Sequence, residues 1–120
     1  MRFLRRRPLG ARFVRVCAYG EIAPGEIRRV EGLPIILCRS GDRLYAVTFM
    51  CPHGKARLVK GKLVDDCLEC PLHGARFGLA GGEVRRGPAR RGLLTYDVEV
   101  RDGQVYVSAV ARRRFRLVRR

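Results

Sequence analysis

The sequence lacks the features that would place the chain in a membrane or make it an enzyme in its own right. No apolar run approaches the roughly 18 residues that a membrane-spanning helix needs. Residues 1–8 carry arginines like the start of a targeting signal, but arginines also interrupt the stretch that follows, so no apolar signal core is present. Internal repeats, a nucleotide-binding motif and a mononuclear iron triad are missing as well. We therefore expect a protein that is neither anchored in a membrane nor catalytic.

Cysteine is odd in number, which argues against a complete disulfide framework. The chain has five cysteines, and two of them, Cys17 and Cys38, lie in apolar, strand-like runs. At 120 residues there is room for one domain with a modest core, and a chain of this size gains stability from a cofactor that ties its loops together. The expectation is a monomeric, single-domain protein of the reducing cytoplasm.

Acidic residues are few, and the excess of positive charge is concentrated at the two ends. The formal net charge is +15, and residues 1–15 and 112–120 contribute six arginines each. The middle of the chain is nearly balanced. Tails of this composition, here residues 1–11 and 112–120, are typically solvated and disordered. The alternatives are docking onto an acidic partner, or adhesion to nucleic acid or to an anionic membrane.

Both histidines of the chain follow a Cys-Pro pair. The first motif is Cys51-Pro52-His53, and the second is Cys70-Pro71-Leu72-His73, with sixteen residues between His53 and Cys70. Thiolates and imidazoles together suit zinc, copper(I) or an iron-sulfur cluster. Zinc fingers usually pair Cys with Cys and His with His, whereas each loop here offers one of each, which suits a two-iron cluster better. Zinc stays open as an alternative because Cys67 and Cys70 also form a C-x-x-C.

These motifs resemble those of the Rieske [2Fe-2S] family. The residues that carry the resemblance are Cys51-Pro-His53, Ala56, Leu58, Gly61, Cys70-Pro-Leu-His73-Gly74, Phe77, Gly82 and Gly87-Pro88-Ala89. The resemblance implies one [2Fe-2S] cluster per chain. It implies that Cys51 and Cys70 bind one iron and that His53 and His73 bind the other. It also implies that the loop of Gly87, Pro88 and Ala89 shields the cluster from water.

The strand patterns and the resemblance together predict an all-β Rieske fold. Apolar, strand-like runs precede and follow the motifs, and the pairs Gly41-Asp42 and Asp102-Gly103 are typical of hairpin turns. We expect an antiparallel base sandwich or barrel, with a small cluster-binding lobe inserted across residues 50–90 and a core spanning about 12–110. Between the two motifs, Leu58-Val59 and Leu63-Val64 are predicted as short strands. Residues 93–100 alternate with period two and are predicted as a strand that pairs with residues 104–107 across Asp102-Gly103.

The charges around the motifs bear on the reduction potential. Reduction adds a negative charge to the cluster, so positive side chains near it raise the potential; four arginines flank the third loop: Arg85, Arg86, Arg90 and Arg91. High-potential members of the family carry two further Cys and a Ser near the cluster, where this chain has Ala56, Leu72 and Ala75. The absent donors predict a potential at the low end of the Rieske range, roughly −150 to +300 mV.

The resemblance implies a soluble ferredoxin that takes one electron from a flavoprotein reductase and passes it to a terminal oxygenase. Two departures from the family pattern are Gly78, where many such ferredoxins have Asp and the turn is expected to be looser, and the basic charge, which favours acidic docking surfaces on the partners. Two other functions are weighed against it: the small Rieske-like subunit of a nitrite reductase, and a nucleic-acid-binding protein with a structural zinc.

Overall fold

A computed structural model of the chain describes residues 8–52, 54 and 56–112, and these form strands, turns and two short 3-10 helices. The strands are β1 Phe13–Ala18, β2 Ile27–Arg29, β3 Ile35–Ser40, β4 Arg43–Thr48, β5 Lys62–Val64, β6 Cys67–Glu69, β7 Arg76–Gly78, β8 Val84–Arg86, β9 Thr95–Arg101 and β10 Gln104–Ala111. The 3-10 helices are Tyr19–Glu21 and Leu58–Lys60. Within these ranges no helix has the length and apolar character to cross a bilayer.

Six strands form the base sheet, in the order β1-β10-β9-β4-β3-β2, with antiparallel pairing throughout. Two predicted hairpins lie in this sheet. Gly41 has φ +61° in the turn that pairs Ser40 with Arg43, and Asp102 and Gly103 have φ +52° and +75° in the turn between β9 and β10. Glycine and Asp tolerate this left-handed region better than most residues, so the turn sequences determine where the strands pair.

A second sheet of four antiparallel strands, β5-β6-β7-β8, lies in the chain between β4 and β9. The lobe that it forms packs on the base through β3. Ile36 and Cys38 on one face of β3 belong to the core that the lobe shares, whereas Ile35 and Leu37 on the other face belong to the core of the base. Strands buried on both faces have continuous rather than alternating apolar sequences, as Ile35 to Cys38 does. The predicted all-β fold with an inserted lobe is confirmed.

Two local predictions were wrong. Leu58 and Val59 begin a 3-10 helix, Leu58–Lys60, instead of a strand, because the Lys60 and Gly61 N–H groups donate back to the carbonyls of Arg57 and Leu58. Leu93 was predicted to begin the strand that is β9, but the strand starts at Thr95. The Leu93 N–H donates to the Gly82 carbonyl at 2.7 Å, so this residue closes the lobe instead of joining the base sheet.

Candidate iron-sulfur centre

The first Cys-Pro motif lies in a tight loop at the end of β4. An antiparallel bridge between Met50 and Arg57 closes the loop at its base. Inside it, the Cys51 N–H donates to the Ala56 carbonyl at 3.0 Å, and the Gly54 N–H donates to the Cys51 carbonyl at 3.3 Å. Backbone hydrogen bonds therefore fix the position of Cys51, whose residue surface is only 2% exposed.

The second motif forms the loop between β6 and β7 and repeats the same bond. The Cys70 N–H donates to the Ala75 carbonyl at 2.8 Å, again five residues further along the chain. His73 and Gly74 both have φ +72°, which turns the backbone sharply at the tip. At the base of the loop, Glu69 and Arg76 face each other in the strand register and form an ion pair of 3.0 Å. Two sequence-distant loops are thus built on one plan.

The structure brings Cys51 and Cys70 together. Both are buried, neither is in a disulfide, and their side chains lie within hydrogen-bonding contact. Burial raises the pKa of the Cys70 thiol, the Cys51 contact raises it further, and the Leu72 N–H, which donates to the Cys70 sulfur, lowers it. A buried pair of sulfurs with a backbone N–H directed at one of them suits two thiolate ligands of one iron.

Of the two predicted histidine ligands, His73 lies in the part of the chain that the structure describes. His73 lies on the exposed tip of the second loop, while His53 lies outside the described residues. Among residues 8–52, 54 and 56–112, no three Cys, His, Asp or Glu side chains form a group that could hold one metal ion. His73 therefore does not share a single-ion site with the two cysteines. In a two-iron cluster it would not have to, because each iron takes only two protein ligands.

The loop that was predicted to shield the cluster contributes one buried residue. Ala89 is 6% exposed and belongs to the same apolar core as Cys51 and Cys70, whereas Gly87 and Pro88 are exposed. The rest of that core is supplied by the lobe and the base, with Leu58, Leu68, Phe77, Leu79 and Leu93 among its members. The cysteines are thus surrounded by side chains that exclude water.

Three contacts around the loops were not predicted from the sequence. One is the Glu69–Arg76 ion pair. In the sequence, opposite charges directly before and after the second Cys-Pro loop would have indicated it. A second is the contact of 3.6 Å from Arg85 Nη1 to the Cys67 sulfur. The third is the Glu83 carboxylate, which occupies the space that a side chain on Gly78 would fill. The second and third contacts cannot be found without knowing the strand register.

The turn after Gly78 is closed, although a looser turn was expected there. The Gly78 N–H donates to the Glu83 carbonyl at 2.8 Å, and the Gly82 N–H donates to the Gly78 carbonyl at 2.8 Å. The Glu83 carboxylate also accepts a hydrogen bond of 2.7 Å from Arg85, which lowers the pKa of Glu83. The absence of a side chain at position 78 makes room for this carboxylate.

Comparison with known proteins identifies the family. Residues 12–97 match the model of the Rieske [2Fe-2S] domain, and the chain belongs to that family. It is 39% identical over 99 residues to the ferredoxin CarAc of Metapseudomonas resinovorans, covering 80% of this chain and 92% of that protein. It is 38% identical to the ferredoxin subunit of the 3-phenylpropionate/cinnamic acid dioxygenase of Escherichia coli, covering 76% of this chain and 88% of that protein.

Solved structures agree with this assignment. The ferredoxin in a complex of reduced oxygenase and oxidised ferredoxin of carbazole 1,9a-dioxygenase superposes with a TM-score of 0.79 at 37% identity, over 86% of this chain and 98% of that one. A putative NADH-dependent nitrite reductase small subunit from Mycobacterium tuberculosis gives 0.72 at 25% identity, over 82% and 96%. The predicted family, the electron-carrier role and the Rieske-type [2Fe-2S] cofactor are confirmed.

Proposed function

We propose that the chain passes single electrons from a flavoprotein reductase to a terminal oxygenase. The observation that carries this proposal is the pair of buried cysteines, brought together by two equivalent loops in a chain that matches the Rieske family. Two of its curated relatives are named as a ferredoxin and as the ferredoxin subunit of a dioxygenase. Relatives of this length and identity support the same place in an electron-transfer chain.

We propose the predicted ligand set for the cluster, with Cys51 and Cys70 on one iron and His53 and His73 on the other. When bound, the cluster supplies a centre that accepts and returns one electron. The two loops hold the cysteines at a fixed separation, and the apolar residues beneath them keep water away from the sulfurs. The exposed position of His73 supports a role for its imidazole edge as the side that faces a partner.

The domain bounds, the oligomeric state and the cellular compartment complete the proposal. We propose one Rieske domain with a core of about residues 12–110 and a cluster-binding lobe of about 50–90. We also propose that the chain is a monomer of the cytoplasm. All five cysteines are free, which suits a reducing compartment. Burial raises the pKa of Cys38 to about 12, so this thiol resists oxidation. The arginine-rich tails lie mostly outside the described residues.

One prediction concerns the reduction potential. The Arg86 guanidinium lies beside the second loop, 3.8 Å from the position that a Cβ on Gly74 would take, and forms no ion pair within the part of the chain that the structure describes. Arg85, its neighbour, is paired with Glu83 at 2.7 Å. Because a positive charge stabilises the reduced state, Arg86→Gln should lower the reduction potential by about 20 to 40 mV. This magnitude is that of a unit charge roughly 10 Å from the cluster in an environment of high dielectric constant.

The matched control for this prediction is Arg43→Gln, which removes an exposed positive charge at the end of β4 that lies away from the first Cys-Pro loop. Its shift should be less than half that of Arg86→Gln when both are measured by voltammetry on iron-loaded protein at one pH and ionic strength. Equal shifts in the two variants would contradict the assignment, because they would show that the position of Arg86 beside the second loop has no influence on the field there.

The experiment that tests the proposed function is electron paramagnetic resonance on the dithionite-reduced, iron-loaded protein, with iron and acid-labile sulfide assayed in the same sample. A rhombic signal of low average g, with two irons and two sulfides per chain, is the expected result. A silent, colourless protein that contains zinc would overturn it and favour the structural-zinc alternative. The nitrite reductase subunit shares the fold, but some proteins of that class lack the ligands that this chain retains.

A further inference from the structure

A mostly apolar groove lies beside the exposed tip of the second loop. It has a volume of about 510 Å³ and is lined by the groove residues Ala56, Arg57, Lys60, Pro71 and Leu72. Leu72 is 44% exposed, which is unusual for a large apolar side chain, and its Cδ2 lies 3.6 Å from the position that a Cβ on Gly54 would take. The groove thus joins the two Cys-Pro loops, and Leu72, which lines it, directly precedes His73 in the chain.

The two cations at the rim of this groove have no acidic partner among the residues that the structure describes. Arg57 and Lys60 are exposed and make no ion pair or side-chain hydrogen bond with any described residue. Three of the eight arginines in residues 12–49 and 93–112 do pair with acids: Arg28 with Glu26, Arg101 with Glu99 and Arg112 with Asp97. The groove therefore combines exposed apolar surface with uncompensated positive charge.

Positive charge is also distributed unevenly between the lobe and the base. Residues 50–92 contain nine Lys and Arg but four Asp and Glu, while residues 12–49 and 93–112 together contain eight and seven. Apart from the two tails, almost all of the positive excess lies in the lobe that carries the Cys-Pro loops. Within residues 12–112, this excess favours the approach of an oppositely charged partner to the lobe.

We propose that the groove residues form a docking face for a protein partner whose electron-transfer surface has an apolar centre and a rim of carboxylates. The inference rests on the proposed function, because it names the surface chemistry of the partner that receives or delivers the electron. Leu72 and Pro71 provide the apolar contact that excludes water, and Arg57 and Lys60 pair with the acidic rim. Electrostatic complementarity of this kind acts mainly on the rate of association and on the choice of partner.

The experiment uses two protein probes of opposite rim charge. One is a blue-copper protein whose copper edge is apolar and flanked by carboxylates, and the other is cytochrome c, whose haem edge is flanked by lysines. Each accepts one electron, so the iron-loaded protein, first reduced by dithionite and freed of its excess, is oxidised by one electron while Cu(II) or Fe(III) of the probe is reduced. Stopped-flow measurement gives second-order rate constants. At low ionic strength the acidic probe should react about tenfold faster, and the advantage should shrink as salt screens the charges.

The variants separate the groove from overall charge. Arg57→Gln/Lys60→Gln should lower the rate with the acidic probe about fivefold at low salt. The matched control, Arg15→Gln/Arg43→Gln, removes the same charge from exposed positions at the opposite end of the base and should lower that rate less than twofold. Leu72→Gln should lower the rate even at high salt, whereas Val100→Gln, at another exposed apolar position in β9, should not.

The possible results distinguish this inference from the proposed function. Equal losses in the groove variant and the control variant would overturn the docking face and assign the effect to net charge. A faster reaction with cytochrome c would overturn the acidic partner. If no variant forms the reduced iron signal and neither probe is reduced, the proposed function itself fails. A protein that retains the signal and reduces both probes at equal rates retains its function and loses only the docking face.

Discussion

Replacing His73 by Cys is expected to abolish the low-g signal of the reduced protein and to lower its reduction potential by at least about 100 mV. A thiolate carries a negative charge that a neutral imidazole lacks, so one further thiolate disfavours the addition of an electron. The family ranges show the size of the effect: clusters with four cysteines have potentials of about −400 mV, against roughly −150 to +300 mV for Rieske centres. Electron paramagnetic resonance and voltammetry on the iron-loaded variant measure both changes.

The base should survive this substitution. His73 has φ +72°, a conformation that costs a non-glycine residue about 1 kcal/mol, and Cys bears this cost much as His does. The core of the base is built from other residues, among them Ile35, Leu37 and Val107, and does not include the second loop. Far-UV circular dichroism of the variant should therefore match that of the wild type, which separates a loss of ligation from a loss of fold.

Cys67→Ser is the matched control for the ligand assignment. Cys67 lies three residues before Cys70, is 7% exposed and contacts Arg85, but belongs to β6 and not to a Cys-Pro loop. The control should keep both the signal and the iron content. A native signal in His73→Cys would remove His73 from the ligand set. Loss of iron in Cys67→Ser would instead indicate that the C-x-x-C pair binds metal, as the zinc alternative requires.

The turns and strands were predictable where a few neighbouring residues decide the conformation. Asp102-Gly103 and Gly41-Asp42 have the sequences that two-residue hairpin turns need, and each is found in such a turn. The Leu58–Lys60 segment was not predictable in the same way. Its apolar residues suit a strand or a single helical turn equally, and the 3-10 helix forms because the chain must turn between the bridge at Arg57 and β5.

The candidate site was likewise predictable only in the features that neighbouring residues decide. The ligand types and their spacing are local, so the sequence alone suggested a two-iron cluster. The contact between Cys51 and Cys70 depends on how two loops from different sheets meet, which requires the packing of the lobe on β3. Likewise, the four arginines near the third loop looked equivalent in the sequence. Only the fold shows that Arg85 is paired with Glu83 while Arg86 faces the second loop.

The junction that closes the lobe is sensitive to substitution at Gly82. Gly82 has φ +76°, and a Cβ on it would collide with the Leu93 carbonyl, the residue whose N–H donates to the Gly82 carbonyl. Gly82→Ala should therefore lower the free energy of unfolding by about 2 to 4 kcal/mol, since backbone strain and a backbone clash add. Thermal unfolding of the iron-loaded protein measures the loss.

Substitutions at two further glycines separate the effect of backbone strain from that of the backbone clash. Gly25 has φ +86° with no atom within 4 Å of the added Cβ, so Gly25→Ala should cost about 1 kcal/mol from backbone conformation alone. Gly20 has open space and no positive φ, so Gly20→Ala should change stability by less than about 0.5 kcal/mol. Equal losses at Gly82 and Gly25 would contradict the close approach of Leu93.

Gly82→Ala should also shorten the lifetime of the cluster. The segment from Gly82 to Leu93 is tied at its ends by one backbone hydrogen bond and carries Ala89, which packs in the same core as the two cysteines. Loosening that tie moves Ala89 away and lets water reach the sulfurs. Iron release to a chelator, followed by the loss of visible absorbance, should therefore be faster in Gly82→Ala than in Gly25→Ala. If release is equally slow in both variants, the loop of Gly87, Pro88 and Ala89 does not shield the site.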